Sequence, residues 1–453
     1  MYKQPPLSPA LSPIGEGNVV RKFAVVGGGW AGCAAAVELA RTGHHVTLFE
    51  SARTLGGRAR MVEINGLTLD NGQHIMLGAY KDTVQLMQTV GIDTQQAFLN
   101  LPLQMRYPGD SGMDFVAPRL PAPLHLLVAL LRARGLSKAD KLALARFSST
   151  ARWIDWRLHD DCTVSELLER YQQTERLNRL MWRPLCIAAL NTPPERASAQ
   201  VFLNVLRDSL GARRAASDML LPRFDLSAIF PQHAARFVAQ RGGAIKTACT
   251  VTAIAAVESG WQIHTKDETA CFDRVIIATQ ASHAANLLKE LPGATTLPAF
   301  DYEPITTCYL QYDASVRLPQ AFFALIDDAG RKEWGQFVFD RGQLHADQAG
   351  LLAVVVSVSA PAIEDGQQTL AAEVAAQLAQ TFDMEKLARP LWNKTITEKR
   401  ATFSCQPALA RPGPETGLAG LFLAGDYLAS DYPATLEAAT RSGIAAAKLA
   451  IQA

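Results

Sequence analysis

From Arg21 onward the apolar and polar positions fall into a short strand, a turn, a helix and a second strand. Lys22 to Val26 (KFAVV) is an apolar, partly β-branched run that Gly27, Gly28 and Gly29 interrupt. An Ala-rich stretch from Ala31 to Ala40 then has the length of a helix, and Val46 to Glu50 (VTLFE) returns to strand character. Further strands are predicted at Ala248 to Val257, Trp261 to Thr265 and Arg274 to Ala278, separated by turn-forming or charged residues. Tyr80 to Leu210 reads mostly as helix. Leu297 to Leu391 is mixed, with a strand at Leu351 to Val358 and a helix at Gln368 to Phe382, and Gly420 to Ala453 reads strand then helix. No repeat of solenoid period interrupts this order. The first twenty residues are rich in Pro, Ser and Gly and lack an apolar run of signal-peptide length, so residues 1–20 are expected to form a flexible leader.

The 453 residues suffice for two or three domains at roughly 150 residues each. Lys and Arg total 44 against 43 Asp and Glu, a net charge of +1, and 48% of residues are apolar. Neither global disorder nor a polyanion-binding surface is therefore expected, and no nucleic-acid partner. The seven cysteines are scattered with no C-x-x-C pair, which predicts reduced thiols in a cytoplasmic compartment, no disulfide framework and no structural metal. The longest apolar stretch, Leu120 to Leu131 (LPAPLHLLVALL), falls short of the roughly 20 residues a spanning helix needs. Its flanking Arg119, Arg132 and Arg134 suit peripheral contact with the inner face of a membrane, while a run of this length more commonly forms an ordinary buried helix. Arg213-Arg214, and Arg132 with Arg134, otherwise read as solvated surface. The chain has no H-E-x-x-H, G-x-S-x-G or G-x-x-x-x-G-K-[ST] motif, which excludes zinc proteases, serine hydrolases of that type and P-loop NTPases.

Gly27-x-Gly29-x-x-Gly32 stands at the strand-to-helix turn. The first glycine permits the tight turn, the second lets backbone approach a pyrophosphate, and the third lets helix and strand pack closely. Glu50 follows 18 residues after Gly32, where a carboxylate can accept hydrogen bonds from ribose hydroxyls and disfavours a 2′-phosphate. Ser51 to Arg58 (SARTLGGR) adds glycines that allow close backbone approach, and Arg53 and Arg58, which can pair with a diphosphate. The pattern predicts an α/β protein: a Rossmann-like dinucleotide domain built from discontinuous segments, 21–85, 211–290 and 392–453, with an inserted α+β substrate domain from 86–210 and 291–391.

Gly27 to Gly32, Glu50 and the ARTLGGR turn resemble the FAD-binding start of the amine oxidase and phytoene desaturase superfamily. The C-terminal LFLAGDYLASDYPATLEAATRSG resembles its closing motif. Within that superfamily, Asp70 to His74 (DNGQH), Leu77 to Tyr80, Trp182 to Pro193, and Ser217 to Arg223 through Phe230-Pro231 resemble the hydroxysqualene dehydroxylase branch, and the resemblance covers nearly everything after residue 21. It implies FAD as the cofactor, with contacts at Gly27, Gly29, Trp30, Ala31, Gly32, Glu50, Ser51, Arg53, Gly57, Arg58, Gln73, His74, Val251, Gly425, Asp426, Thr435 and Leu436. Gly425-Asp426 would meet the ribityl-diphosphate region, the helix from Thr435-Leu436 would point its N-terminus at the flavin ring, and Val251 would meet the adenine side through its backbone. Ala438 departs from the glycine that relatives commonly carry there.

The branch's reaction is similar to reductive removal of an allylic hydroxyl from an apolar triterpenoid, with hydride from the reduced flavin and a proton to the departing oxygen. His74, Asp225, and Asp431 or Tyr432 are the candidate proton donors. Each also has a structural reading: a hydrogen-bonded histidine, a cap for the following helix, and a solvated loop. With no second glycine motif for a nicotinamide domain, the flavin's electrons are expected from an external donor. A carotenoid or isoprenoid desaturase is the first alternative. An amine oxidase, with Tyr427 and Tyr432 imitating an aromatic cage, and a non-catalytic flavin-bound lipid carrier are the others.

Overall fold

The computed structural model describes residues 20–109 and 112–453, so the expected leader lies, apart from Val20, outside the described residues. Strand β1 (Lys22–Val26) leads through the glycine turn into helix α1 (Trp30–Arg41), and β2 (His45–Phe49) follows. Further along come α2 (Lys81–Thr89), α3 (Leu124–Arg132), α4 (Lys138–Trp153), β3 (Ala244–Lys246) and β4 (Arg274–Ile277). The second half contains β5 (Tyr302–Gln311), β6 (Phe337–Asp340), β7 (Leu351–Ser357), α5 (Gln367–Phe382), β8 (Trp392–Phe403), β9 (Leu421–Leu423) and α6 (Leu436–Gln452).

A five-stranded parallel sheet runs in the order β3-β2-β1-β4-β9, drawing strands from both ends and the middle of the chain. Such a sheet is covered on both faces, and β1 is accordingly buried from Phe23 to Val26. Helix α1 lies on one face with Trp30 through Ala40 all buried, alanine-rich and apolar but for Glu38, which pairs with Arg41 at 2.8 Å. It packs against α6 at near-backbone contact: a Cβ on Gly443 would stand 2.1 Å from the carbonyl oxygen of Ala31, so no larger residue fits that crossing. A three-stranded meander, Val251–Val257, Gly260–Thr265 and Thr269–Phe272, leads back into β4.

The second large sheet is antiparallel, in the order Phe322–Ala324, β6, β7, β5, β8, and α5 packs on it. Here one expected boundary moves. β8 pairs along the length of β5, so residues 392–403 belong to the antiparallel sheet and the chain returns to the parallel sheet only after Phe403. A strand pattern tells that a segment is extended, not which sheet receives it. The region expected to be mostly helical also holds three short strands, Phe98–Leu101, Gln104–Arg106 and Asp114–Val116, too brief to show a period. In α3 only His125 and Ala129 are buried, whereas Leu124, Leu127 and Leu131 face outward, so it is not an ordinary buried helix. Among the described residues no helix is long and apolar enough to cross a membrane.

Candidate functional site

The glycine turn has the geometry its spacing implied. Gly27 adopts φ +108°, and a Cβ there would lie 2.6 Å from the Ala278 carbonyl oxygen; on Gly32 it would lie 1.8 Å from the Gly27 oxygen. Gly29 differs, since a Cβ would meet nothing nearer than the Cα of Gly57 at 3.9 Å. The open side of Gly29 faces the glycines of the SARTLGGR turn, which is tied back by Gly56 N–H donating to the Gly28 carbonyl at 2.9 Å. Helix α1 begins there with no side-chain cap and no acid in its first turn, leaving its leading N–H groups free for an anion.

Glu50 sits at the end of β2, its carboxylate accepting from the N–H groups of Gly28 at 2.6 Å and Ala52 at 2.7 Å and from the Ser51 hydroxyl at 3.2 Å. The Cys249 N–H donates to the Glu50 carbonyl at 2.9 Å, bringing the start of the strand that opens with Val251 beside the same corner. Arg53 is exposed. Arg58 is committed elsewhere than to a free diphosphate site: it pairs with Asp426 at 2.6 Å and donates to the Ala401 carbonyl at 2.5 Å. The opening turn and the closing motif are thus joined directly. The Trp30 side chain is also structural, buried and donating to the Ala59 carbonyl at 3.2 Å, so only its backbone at the head of α1 can face a ligand.

In the closing motif, Gly425 N–H donates to the Ser442 hydroxyl at 2.9 Å, and Thr435 caps α6 by accepting from Ala438 N–H at 3.1 Å. Leu436 opens α6, and Ala438 is buried there without disturbing that cap. Sequence reasoning missed the organiser of this loop. Arg411 donates to the carbonyls of Asp426 and Tyr432, each at 2.7 Å, and of Ser430 at 3.1 Å, while its guanidinium lies 4.7 Å from the Phe403 ring centre. Glu437, fully buried in α6, accepts from the N–H groups of Asp82 at 3.2 Å and Thr83 at 3.0 Å and from the Thr83 hydroxyl at 2.7 Å. It thereby caps α2, whose own N-cap residue, Tyr80, offers no acceptor.

The candidate proton donors all turn out to be engaged. His74 Nδ1 lies 2.7 Å from the Gly72 carbonyl, and burial, with Arg58 nearby, holds the imidazole below its ordinary pKa despite that bond. A neutral ring with its proton on Nδ1 leaves Nε2 as an acceptor. Asp225 accepts from the N–H groups of Ser227 at 3.0 Å and Ala228 at 2.8 Å, capping the turn before the helix Pro231–Ala239. Asp431 is exposed and 3.7 Å from Arg207, and the Tyr432 hydroxyl is hydrogen-bonded to Asp208 with the Arg441 guanidinium 4.5 Å from its ring centre. In this arrangement Asp225 caps a turn and Asp431 stands at the surface beside Arg207. Gln73 is likewise held from the turn that follows β6, where Arg341 Nη1 donates to its Oε1 at 2.8 Å. Arg341, fully buried, also donates to Gln348 at 2.8 Å and stands 3.8 Å from Asp70. An arginine with no motif around it gave no signal of this. The Tyr427 hydroxyl is buried without a partner among the described residues, in an aromatic group with Phe300 and Phe403.

The fit to a dinucleotide is specific: an uncapped helix N-terminus over an open glycine face, with a carboxylate oriented at the end of the second strand. Flavin-containing amine oxidoreductases match residues 30–451. The chain belongs to that family. As a member it is an FAD-dependent oxidoreductase, the dinucleotide grip and the flavin of the family together specifying FAD. This flavoprotein is 29% identical over 450 residues to the hydroxysqualene dehydroxylase of Rhodopseudomonas palustris, covering 95% of this chain and 98% of that one. It is 26% identical over 488 residues to the zeta-carotene desaturase of Synechocystis, covering 94% and 96%. Cyclohexylamine oxidase from Brevibacterium oxydans has the same fold, with a TM-score of 0.66 at 16% identity over 96% of this chain and 99% of that one.

Proposed function

We propose that the protein reductively dehydroxylates a linear triterpenoid, converting hydroxysqualene to squalene. The reading is carried by end-to-end likeness to a hydroxysqualene dehydroxylase over 95% of the chain. When bound, reduced FAD supplies the hydride that replaces the departing hydroxyl; the C–O bond breaks, the oxygen takes a proton and leaves as water, and the flavin is reoxidised. The chain's own part is to hold and orient. The first turn of α1 receives the pyrophosphate, Glu50 the ribose, and the Arg58–Asp426 pair locks the two halves of the grip. His74, donating its Nδ1 proton to the Gly72 carbonyl, orients its loop. The aromatic group of Phe300, Phe403 and Tyr427 packs beside Asp426 and excludes water there. An external donor reduces the flavin, and the protein works in the cytoplasm at the inner face of the membrane that holds its substrate.

The desaturase reading runs hydride from carbon to flavin and is supported by the Synechocystis relative. An amine oxidase would need an aromatic cage, and Tyr432 is already covered by Arg441 and bonded to Asp208. Anaerobic photoreduction followed by mixing with hydroxysqualene, squalene, phytoene or an amine separates the readings. Hydroxysqualene alone should return the oxidised flavin spectrum and yield squalene. Reduced enzyme that stays bleached with hydroxysqualene, or oxidised enzyme that bleaches with phytoene, overturns the assignment.

A further inference from the structure

The outer face of α3 and α4 carries large apolar side chains in water. Leu124, Leu127 and Leu131 are 50%, 52% and 66% exposed, and Leu142 and Trp153 on α4 are 71% and 87% exposed. Leu124, Leu127 and Leu131 are spaced by three and four residues, one stripe of α3. Leu142 and Trp153 lie eleven residues apart, the same side of α4 and about 16 Å apart along it. The two helices are linked where the Lys141 ammonium donates to the Leu131 carbonyl at 2.8 Å. Solitary exposed leucines are ordinary, but a run of them across two adjoining helices marks a surface that something covers.

Charge says what covers it. In a chain of net charge +1, the stretch from Arg119 to Trp153 holds seven Lys and Arg and a single acid, Asp140. That acid is buried and spent locally, accepting from Ser137 N–H at 2.8 Å and the Thr174 hydroxyl at 2.6 Å. A second copy docking the same face would bring these cations against each other. An anionic lipid leaflet would receive the leucines and Trp153 between headgroups, and the long basic side chains could reach phosphates from the rim. We propose that α3 and the outer face of α4 form a docking surface for an anionic lipid bilayer. This deepens the location given above and holds for any substrate.

Flotation of the FAD-loaded full chain tests it, with vesicles of equal parts phosphatidylcholine and phosphatidylglycerol beside vesicles of phosphatidylcholine alone. The protein should float with the anionic vesicles, less with the neutral ones, and less again at high salt. The doubly substituted Leu127→Glu, Leu131→Glu protein should lose about tenfold or more of that partitioning. Its far-UV spectrum, flavin absorbance and turnover of detergent-dispersed hydroxysqualene should be unchanged. As a second reading, tryptophan emission should shift to the blue on vesicle addition, and Trp153→Phe should remove that shift. Three results overturn the proposal: wild type that stays at the bottom with anionic vesicles, a double variant that floats like wild type, or a dimer by light scattering that the double variant dissociates. Flotation uses no substrate, so failure of the dehydroxylation reading would show separately, as absent turnover in protein that still floats.

Discussion

Asp70 is almost wholly buried beneath the loop that carries Gln73 and His74, with one backbone donor, Leu226 N–H at 2.7 Å, and one cation, Arg341, at 3.8 Å. Burial pushes its pKa up from 3.8 to about 7, further than Arg341 and the Leu226 bond can pull it down. The native state therefore binds this proton more tightly than the unfolded chain does. The stabilisation is complete below about pH 4 and is lost as pH rises through 7. Between pH 5 and pH 8 the loss comes to about 3 kcal/mol. With an unfolding entropy of about 2.1 cal/mol/K per residue over the chain, that is about 3 °C in Tm. Asp70→Asn is isosteric with the protonated acid and can still accept from Leu226. It should match wild type at pH 5, where both leave Arg341 the same neutral neighbour, and exceed it by about 3 °C at pH 8. Differential scanning fluorimetry of the two FAD-loaded proteins across this range, at fixed ionic strength, is the assay. Parallel curves from pH 5 to pH 8 would show that Asp70 stays ionised in the folded protein and that Arg341 pairs with it strongly.

Gly32→Val forces a Cβ to within 1.8 Å of the Gly27 oxygen, so the variant should purify colourless, by flavin absorbance, while retaining helical far-UV signal. Glu50→Gln keeps the shape of the corner but removes the charge that its three donors and a ribose would share; FAD should bind about tenfold more weakly in a fluorescence titration. Glu437→Ala removes the cap of α2 and strands its leading N–H groups, costing about 3 kcal/mol, read as a fall of about 3 °C in Tm. His74→Ala should leave single-turnover reoxidation of the reduced enzyme by hydroxysqualene unchanged, since the ring's proton is held by the Gly72 carbonyl; a large drop would restore it as the acid.

The glycine turn and Glu50 were legible because adjacent residues make that geometry: the steric demand at Gly27 and Gly32 is local, and the carboxylate follows at the end of the next strand. The helices at Trp30–Arg41 and Gln367–Phe382 were legible for a similar reason, since composition and length decide them. β3 was missed because three residues, Ala244–Lys246, carry no period and become a strand only through pairing with β2. Arg341 was missed because its partner Gln73 lies 268 residues away, and Arg411 because it bonds backbone carbonyls of an irregular loop, which carry no sequence signature. The stripe of α3 was visible as a stripe, but spacing alone does not tell which neighbour it meets. Only the structure shows that Leu124, Leu127 and Leu131 stand half or more exposed among the described residues.

The grip on the cofactor is closed by contacts between the ends of the chain. Arg58 reaches Asp426 across 368 residues, Glu437 caps α2 across 354, and Gly443 packs on the backbone of α1. The entropy of closing such loops grows only slowly with length, so the antiparallel sheet can be inserted between the halves at modest cost. The site, however, cannot exist before the last helix has docked. Since FAD binds only the folded arrangement, each tenfold excess over its Kd adds about 1.4 kcal/mol to the stability of the whole grip. Cofactor and C-terminal helix would therefore stabilise the same state, since a dinucleotide held at the head of α1 and at the closing motif would bind only once α6 has packed on α1.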